Sequence, residues 1–321
     1  MDEIELSLKE VQDAVPVVRE VAYRTPLIRS DGFGDEDVWL KLENLQRLGS
    51  FKIRGIWHCV SGLSQEERAR GLAIFSAGNA GLALAWTAKR LGVPCMVIVS
   101  EGADPRRIDA IIAQGGSVEI MPLKEIFRIL ETGTRLPSPF TFINPVGDRR
   151  IVAGVGTVGL EIVQDLPKAK TIIVPVGGGD LAAGVAVAAK GIDPKVKVFG
   201  VQTEGAAVLP ESLKTGRGYR LEKPPHTIAD SIATPLMLEK MASFLSRQLD
   251  GSLLVSDEEV KLAMRSLAVE SKVVAEPAGA VALAAYIRHE RSLEKPVVAI
   301  VSGGNVSPRL LAETISGPPS T

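Results

Sequence analysis

The chain has 321 residues, 45% hydrophobic and 23% charged, the composition of an ordinary globular protein able to bury a large core in one or two domains rather than of a disordered segment. Thirty-seven basic against thirty-eight acidic residues leave a formal charge of -1, so no overall attraction to nucleic acid or anionic lipid is built in, and a small-molecule partner fits better. No apolar run reaches membrane-spanning length, and Cys59 and Cys95 have neither CxxC nor Cys/His spacing, which gives no disulfide framework and argues against structural zinc.

The N-terminal MDEIELSLKE is acidic and amphipathic and lacks the basic start and apolar stretch of a signal peptide, so the expected setting is cytoplasmic. Strand patterns VWLKL, LAIFS, CMVIVS and SVEIM then alternate with helices expected from about Phe51, from Asn79 and from Pro105. LETGTRLPSPFTFINP, rich in Gly, Pro, Ser and Thr, is the expected crossover between domains. The second half resumes with TIIVPV, KVFGVQ and VVAIVS, whose continuous apolarity suits strands covered on both faces. SDEEVKLAMRSLAVES opens with a capping box, Ser256 and Glu259, and SGPPST reads as a frayed tail. This alternation predicts an α/β protein of two domains, each an open, twisted, mostly parallel sheet covered by helices.

Three strands run into glycine-containing turns that open helices, and such turns mark the ligand-binding edge of a parallel sheet. The middle turn, Gly177, Gly178 and Gly179, exposes amides at a helix start, where a phosphate is the natural guest, although glycines there could equally serve only a tight turn. It lacks the GK[ST] ending of an ATP-binding loop. GVGTVG, Gly154 to Gly159, spells a dinucleotide fingerprint but follows no strand, so close helix packing is the expected role. Lys52 stands among apolar neighbours in GSFKIRG, where desolvation would lower its pKa and free its amine for a Schiff base.

Taken in order, GSFKIRG, SAGNAG, PVGGGDLAAG, AEPAGA and SGGN closely resemble the threonine/serine dehydratases and serine racemases, which are fold-type II pyridoxal-phosphate enzymes. The resemblance implies that Lys52 carries pyridoxal 5'-phosphate as a Schiff base, Phe51 lies against the pyridine ring and Asn79 meets the ring hydroxyl. Gly177, Gly178, Gly179, Asp180 and Leu181 would form the phosphate cradle. Ser302 is similar to the hydroxyl partner of the ring nitrogen. Ser76, Ala77, Gly78, Asn79 and Ala80 would hold the substrate carboxylate. It further implies a large cofactor domain, residues 1–70 and 148–321, a small mobile substrate-side domain, residues 71–147, and a homodimer. The activity expected is elimination of the β-hydroxyl of threonine, serine or a related amino acid to a 2-oxo acid and ammonia. β-Replacement, as in cysteine or threonine synthases, and a non-catalytic amino-acid sensor on the same fold are the alternatives.

Ala77 stands where similar racemases carry a proton-donating serine, which favours elimination over racemisation. Four positions depart from the family pattern: Ala80 for histidine, Asp180 for a fourth glycine, Ser231 for glycine and Gln202 for an acid of metal-dependent members. No metal is expected. A carboxylate beside a phosphate costs Coulomb energy, so Asp180 is expected to point outward as a helix cap. Arg54 is expected in a structural salt link, and Glu276 is either a helix-start acid or an active-site group. His58, His226 and His289 lack metal spacing and read as surface or packing residues.

Overall fold

The computed structural model describes residues 4–30, 37–133 and 139–316. In chain order the strands are Leu27–Arg29 (β1), Val38–Leu42 (β2), Leu72–Phe75 (β3), Cys95–Ser100 (β4), Ser117–Met121 (β5), Thr141–Phe142 (β6), Thr171–Pro175 (β7), Lys197–Thr203 (β8), Tyr219–Arg220 (β9), Leu236–Met237 (β10), Gly251–Val255 (β11) and Val297–Val301 (β12). Six of them form one sheet in the order β1-β2-β12-β7-β8-β11, parallel throughout except for the β1 edge. A second, fully parallel sheet has the order β5-β4-β3-β6, and β9 and β10 make a small antiparallel ribbon.

Every residue of β7 and β12 is buried, as their unbroken apolar runs predict for strands covered by helices on both faces. The helices Lys52–Ser61, Asn79–Leu91 and Pro105–Ala113 begin within one residue of the sequence reading. Ser256 and Glu259 form the capping box of the helix Asp257–Val269. Within the stretch expected as the crossover, β6 returns to pair with β3 before the chain leaves the smaller sheet. Two β-branched or aromatic residues, Thr141 and Phe142, suffice for that edge, which composition hid among the surrounding Gly, Pro and Ser. Residues 134–138 of that stretch and 317–321 of the expected frayed tail lie outside the described residues.

GVGTVG lies inside the buried helix Arg149–Asp165. A side chain at Gly156 would meet the Gly184 carbonyl at 2.9 Å, and one at Gly159 would meet that of Val185 at 2.8 Å. These glycines let the helix Asp180–Ile192 pack backbone to backbone, which is the packing role expected of the motif. Beside this seam, Arg54 is 1% exposed and binds Glu43 Oε1 at 2.7 Å and Glu161 Oε1 at 2.8 Å, while Lys41 Nζ binds Glu161 Oε2 at 2.6 Å. Two cations thus face two carboxylates, and the expected salt link of Arg54 proves to be a buried four-membered network.

Candidate active site

The carboxyl ends of β3, β7 and β12 converge, and the turns that follow them border a cleft of about 560 Å³. Lys52 is the first residue of its helix, preceded by a turn in which Leu48 and Gly49 have φ of 64° and 74°. A Cβ on Gly49 would lie 2.5 Å from Asn305 Oδ1, so the sequence needs glycine there. The Phe51 amide donates to the Ser302 carbonyl at 3.3 Å, fastening the lysine turn to the end of β12. The Lys52 Nζ sits 4.9 Å from the centre of the Phe51 ring and faces the cleft. Burial lowers the pKa of that amine, and the carboxyl groups of Asp180 and Glu276 oppose the shift.

Asp180 overturns one expectation. It is 3% exposed and lines the cleft instead of pointing outward. Gly179, with φ of 106°, takes the cap position of the helix Asp180–Ile192, so Asp180 starts the helix proper and turns inward to accept the Gly147 amide at 2.7 Å. Burial raises its pKa, while Lys52 and the Gly147 amide draw it down.

Asn79 is held on both sides. Its Nδ2 donates to Glu276 Oε1 at 2.7 Å, and its Oδ1 accepts from Asn305 Nδ2 at 2.7 Å. Asn305 also donates to the Leu48 carbonyl at 2.8 Å, tying Asn79 to the lysine turn. Glu276 is the N-cap residue of the helix Pro277–His289, yet its carboxyl makes no capping bond and instead takes Asn79 and the Ser231 hydroxyl, the latter at 3.2 Å. Burial pushes its pKa up against the pull of Asn79. Both expected positions are therefore observed at once: Glu276 stands at a helix start and its carboxyl lines the cleft. Ser302 is 4% exposed, lines the cleft and donates to the Ala278 carbonyl at 3.3 Å.

Ser76, Ala77, Gly78, Asn79 and Ala80 wrap the start of the helix Asn79–Leu91 on the opposite wall, where Ser76 Oγ accepts the Gly78 amide at 3.2 Å. Gly177, Gly178, Gly179 and Leu181 lie on the cleft as well. Among the described residues, the amides of Gly177, Gly178 and Gly179 have no acceptor in the protein. Unpaired donors at a helix start, beside a desolvated lysine, fit a phosphorylated aldehyde. The residues present therefore suit pyridoxal 5'-phosphate.

The remaining departures from the family pattern have local explanations. Gln202 is buried and committed to the backbone, donating to the Val176 carbonyl at 3.1 Å and accepting the Leu209 amide at 2.7 Å. Ser231 joins the site through Glu276, and Ala80 packs as a core methyl, 5% exposed. His58 Nδ1 lies 2.7 Å from the Arg150 carbonyl, His226 is exposed, and none of the three histidines lines the cleft.

Sequence reading missed Asn305 and the pair Arg107 and Asp230, whose charged groups meet at 2.9 Å across the mouth of the cleft. Asn305 was visible only as the last letter of SGGN, and a salt bridge between residues so far apart leaves no local pattern.

A family model described as pyridoxal-phosphate dependent enzyme matches residues 18–303. The chain is 36% identical to the L-threonine ammonia-lyase of Thermotoga maritima, covering 97% of this chain and 78% of that protein. Its fold matches the processed threonine deaminase isoform 2 of Solanum lycopersicum with a TM-score of 0.86 at 29% identity, covering 99% of this chain and 97% of that one. It also matches maize serine racemase, with a TM-score of 0.85 at 28% identity and 97% of each chain covered. The glycine cradle, the cleft lysine and these likenesses agree: the chain belongs to the family of pyridoxal-phosphate dependent enzymes.

Proposed function

We propose that this protein is an ammonia-lyase that eliminates the β-hydroxyl of threonine, serine or a related β-hydroxy amino acid, giving a 2-oxo acid and ammonia. The observation that carries the reading is the convergence on one cleft of the Lys52 amine, the unpaired Gly177–179 amides and the neutral Ser302 hydroxyl. Pyridoxal 5'-phosphate, when bound, supplies a Schiff-base aldehyde and an electron-withdrawing ring. Lys52 would hold it, with Phe51 against the ring, Asn79 at the ring hydroxyl, Ser302 at the ring nitrogen, and Gly177, Gly178, Gly179, Asp180 and Leu181 around the phosphate. A hydroxyl cannot hold a proton on the ring nitrogen as a carboxylate would, so a long-lived carbanion is disfavoured and prompt loss of the β-substituent is favoured.

The chain's own residues do the rest. Within residues 76–80, the Ser76 amide is committed to the Ile98 carbonyl and the Gly78 amide to Ser76 Oγ, so the amides of Ala77, Asn79 and Ala80 with the Ser76 hydroxyl would orient the substrate carboxylate. With the substrate's amine in its place on the cofactor, the Lys52 amine, whose pKa burial lowers, would be free to take the α-carbon proton and to return it to the departing β-hydroxyl, which leaves as water. Addition of water to the released enamine then yields the 2-oxo acid and ammonia. Ala77 offers no proton for return to the opposite face, which separates this reaction from racemisation. The names of the similar Thermotoga and tomato proteins, an ammonia-lyase and a deaminase of threonine, support the same activity. A homodimer in the cytoplasm completes the reading, supported by the family resemblance and by two buried, unpaired thiols, Cys59 and Cys95.

Threonine supplied alone to the cofactor-loaded protein is expected to give 2-oxobutyrate and ammonia in equal amounts, measured by coupled reduction and by an ammonia assay. Product that appears only with a second nucleophile would assign the protein to β-replacement instead, and binding without product would make it a sensor.

A further inference from the structure

We infer that the cleft contains a subsite for an apolar substituent on the substrate's β-carbon, so that the favoured substrates are β-hydroxy amino acids with uncharged chains extending beyond a methyl group. This inference rests on the lyase reading above and narrows its substrate class.

The subsite is built by the helix Leu123–Thr132. Leu123, Ile126, Phe127 and Leu130 fall at positions i, i+3, i+4 and i+7, and all four line the cleft. An amphipathic helix normally spends such a stripe on the core. Here Ile126 and Ile129 are buried in the core with Leu130 packed against them, and Phe127 and Leu123 are left on the open side, Phe127 half-buried and Leu123 49% exposed. Phe75 and Ile98 continue the same wall. Of the helix's charged residues, Arg128 pairs with Glu125 at 2.6 Å and Glu131 with Arg220 at 2.5 Å, while Lys124 is exposed and lies off the cleft. Among the described residues, the apolar wall therefore has no cation turned toward the cleft.

The electrostatics exclude the obvious alternative, a substrate with an acidic side chain. Among the described residues, the charged groups on the cleft are Asp104, Asp180, Asp230 and Glu276 against Lys52 and Arg107, and Arg107 is already bound to Asp230 at 2.9 Å. A second carboxylate on the substrate would find carboxyl groups and hydrocarbon.

The test uses amino acids that lack the β-hydroxyl and so bind without eliminating. Titration of the loaded enzyme with alanine, 2-aminobutyrate, norvaline and aspartate, followed by the visible absorbance of the cofactor, gives a dissociation constant for each. Affinity is expected to tighten about fourfold per added methylene, with aspartate at least about tenfold weaker than norvaline. A flat or reversed series, or a preference for aspartate, overturns the subsite. Leu123→Asn, at an exposed position where folding is retained, and Phe127→Ser should both flatten the gradient, with thermal melting as the control for folding. A gradient unchanged in both variants overturns the assignment to this helix. Turnover of serine, threonine and 3-hydroxynorvaline is measured in parallel. If no 2-oxo acid appears but the binding gradient persists, the lyase reading fails and the subsite stands; turnover with a flat gradient does the reverse.

Discussion

Lys52 is a cation placed where a cation is costly, and its neighbours decide how often it is one. Burial lowers its pKa, and Asp180 and Glu276 oppose that shift. Asp180→Asn removes one of the opposing groups, so the amine pKa is expected to fall further. Condensation with an aldehyde needs the neutral amine, which is lost as pH drops through that pKa. The rate at which the cofactor-free protein takes up pyridoxal 5'-phosphate, followed by visible absorbance against pH, should therefore show an acid limb displaced to lower pH in the variant. An unmoved limb, or one displaced upward, would mean that Asp180 does not act on this amine. Lys52→Ala is expected to abolish both the visible band and turnover. Borohydride reduction of the native protein should then leave the cofactor's mass on the peptide carrying residue 52 and on no other.

Two devices join the elements that carry the site. The first is the glycine seam between the helices Arg149–Asp165 and Asp180–Ile192, the second of which opens at the phosphate cradle. A Gly156→Ala methyl would meet both the Gly184 carbonyl at 2.9 Å and Val11 Cγ1 at 2.8 Å, so the helices must separate. Overpacking of this kind costs ~1–3 kcal/mol, to be read as a lower urea midpoint with weaker cofactor retention. The second is the network of Lys41, Glu161, Arg54 and Glu43, which ties β2 and the lysine helix to the Arg149–Asp165 helix. Burial alone would raise the Glu161 pKa, but Arg54 and Lys41 outweigh it and hold the carboxyl below its ordinary value. A depressed carboxyl stabilises the fold above its unfolded pKa of about 4.3, and that contribution is lost as pH falls through the lower, folded value. Glu161→Gln leaves buried cations short of a partner, an expected loss of ~3–5 kcal/mol at neutral pH. The same variant should show a shallower decline of stability below about pH 4.3.

At the scale of the whole molecule, the sequence made legible what repeats along the chain or sits in one short stretch. Unbroken apolar runs announced β7 and β12, Lys52 stood out among apolar neighbours, and the triple glycine marked a helix start open to an anion. What it hid depends on contacts between distant residues. Asp180 was expected to face solvent because a local argument about charge omitted Gly147, whose amide turns it inward. Asn305 and the pair Arg107–Asp230 belong to the same class. Arg107 stands on the helix Pro105–Ala113 beside the four-stranded sheet, and Asp230 on a turn against the helix cluster of the larger one, so their bond spans the cleft mouth. Both side chains retain solvent contact, which limits the pair to ~0.2–1 kcal/mol. If its role is to hold the two walls together over bound substrate, Arg107→Gln and Asp230→Asn should each raise KM for threonine by no more than about fivefold with kcat little changed. The double variant should be no worse than either single one, because the same bond is lost once. Added salt should raise KM in the native protein more than in the variants, since screening weakens a bond that they no longer have. Additive losses in the double variant, or a collapse of kcat in Arg107→Gln alone, would instead place Arg107 in direct contact with the reacting amino acid.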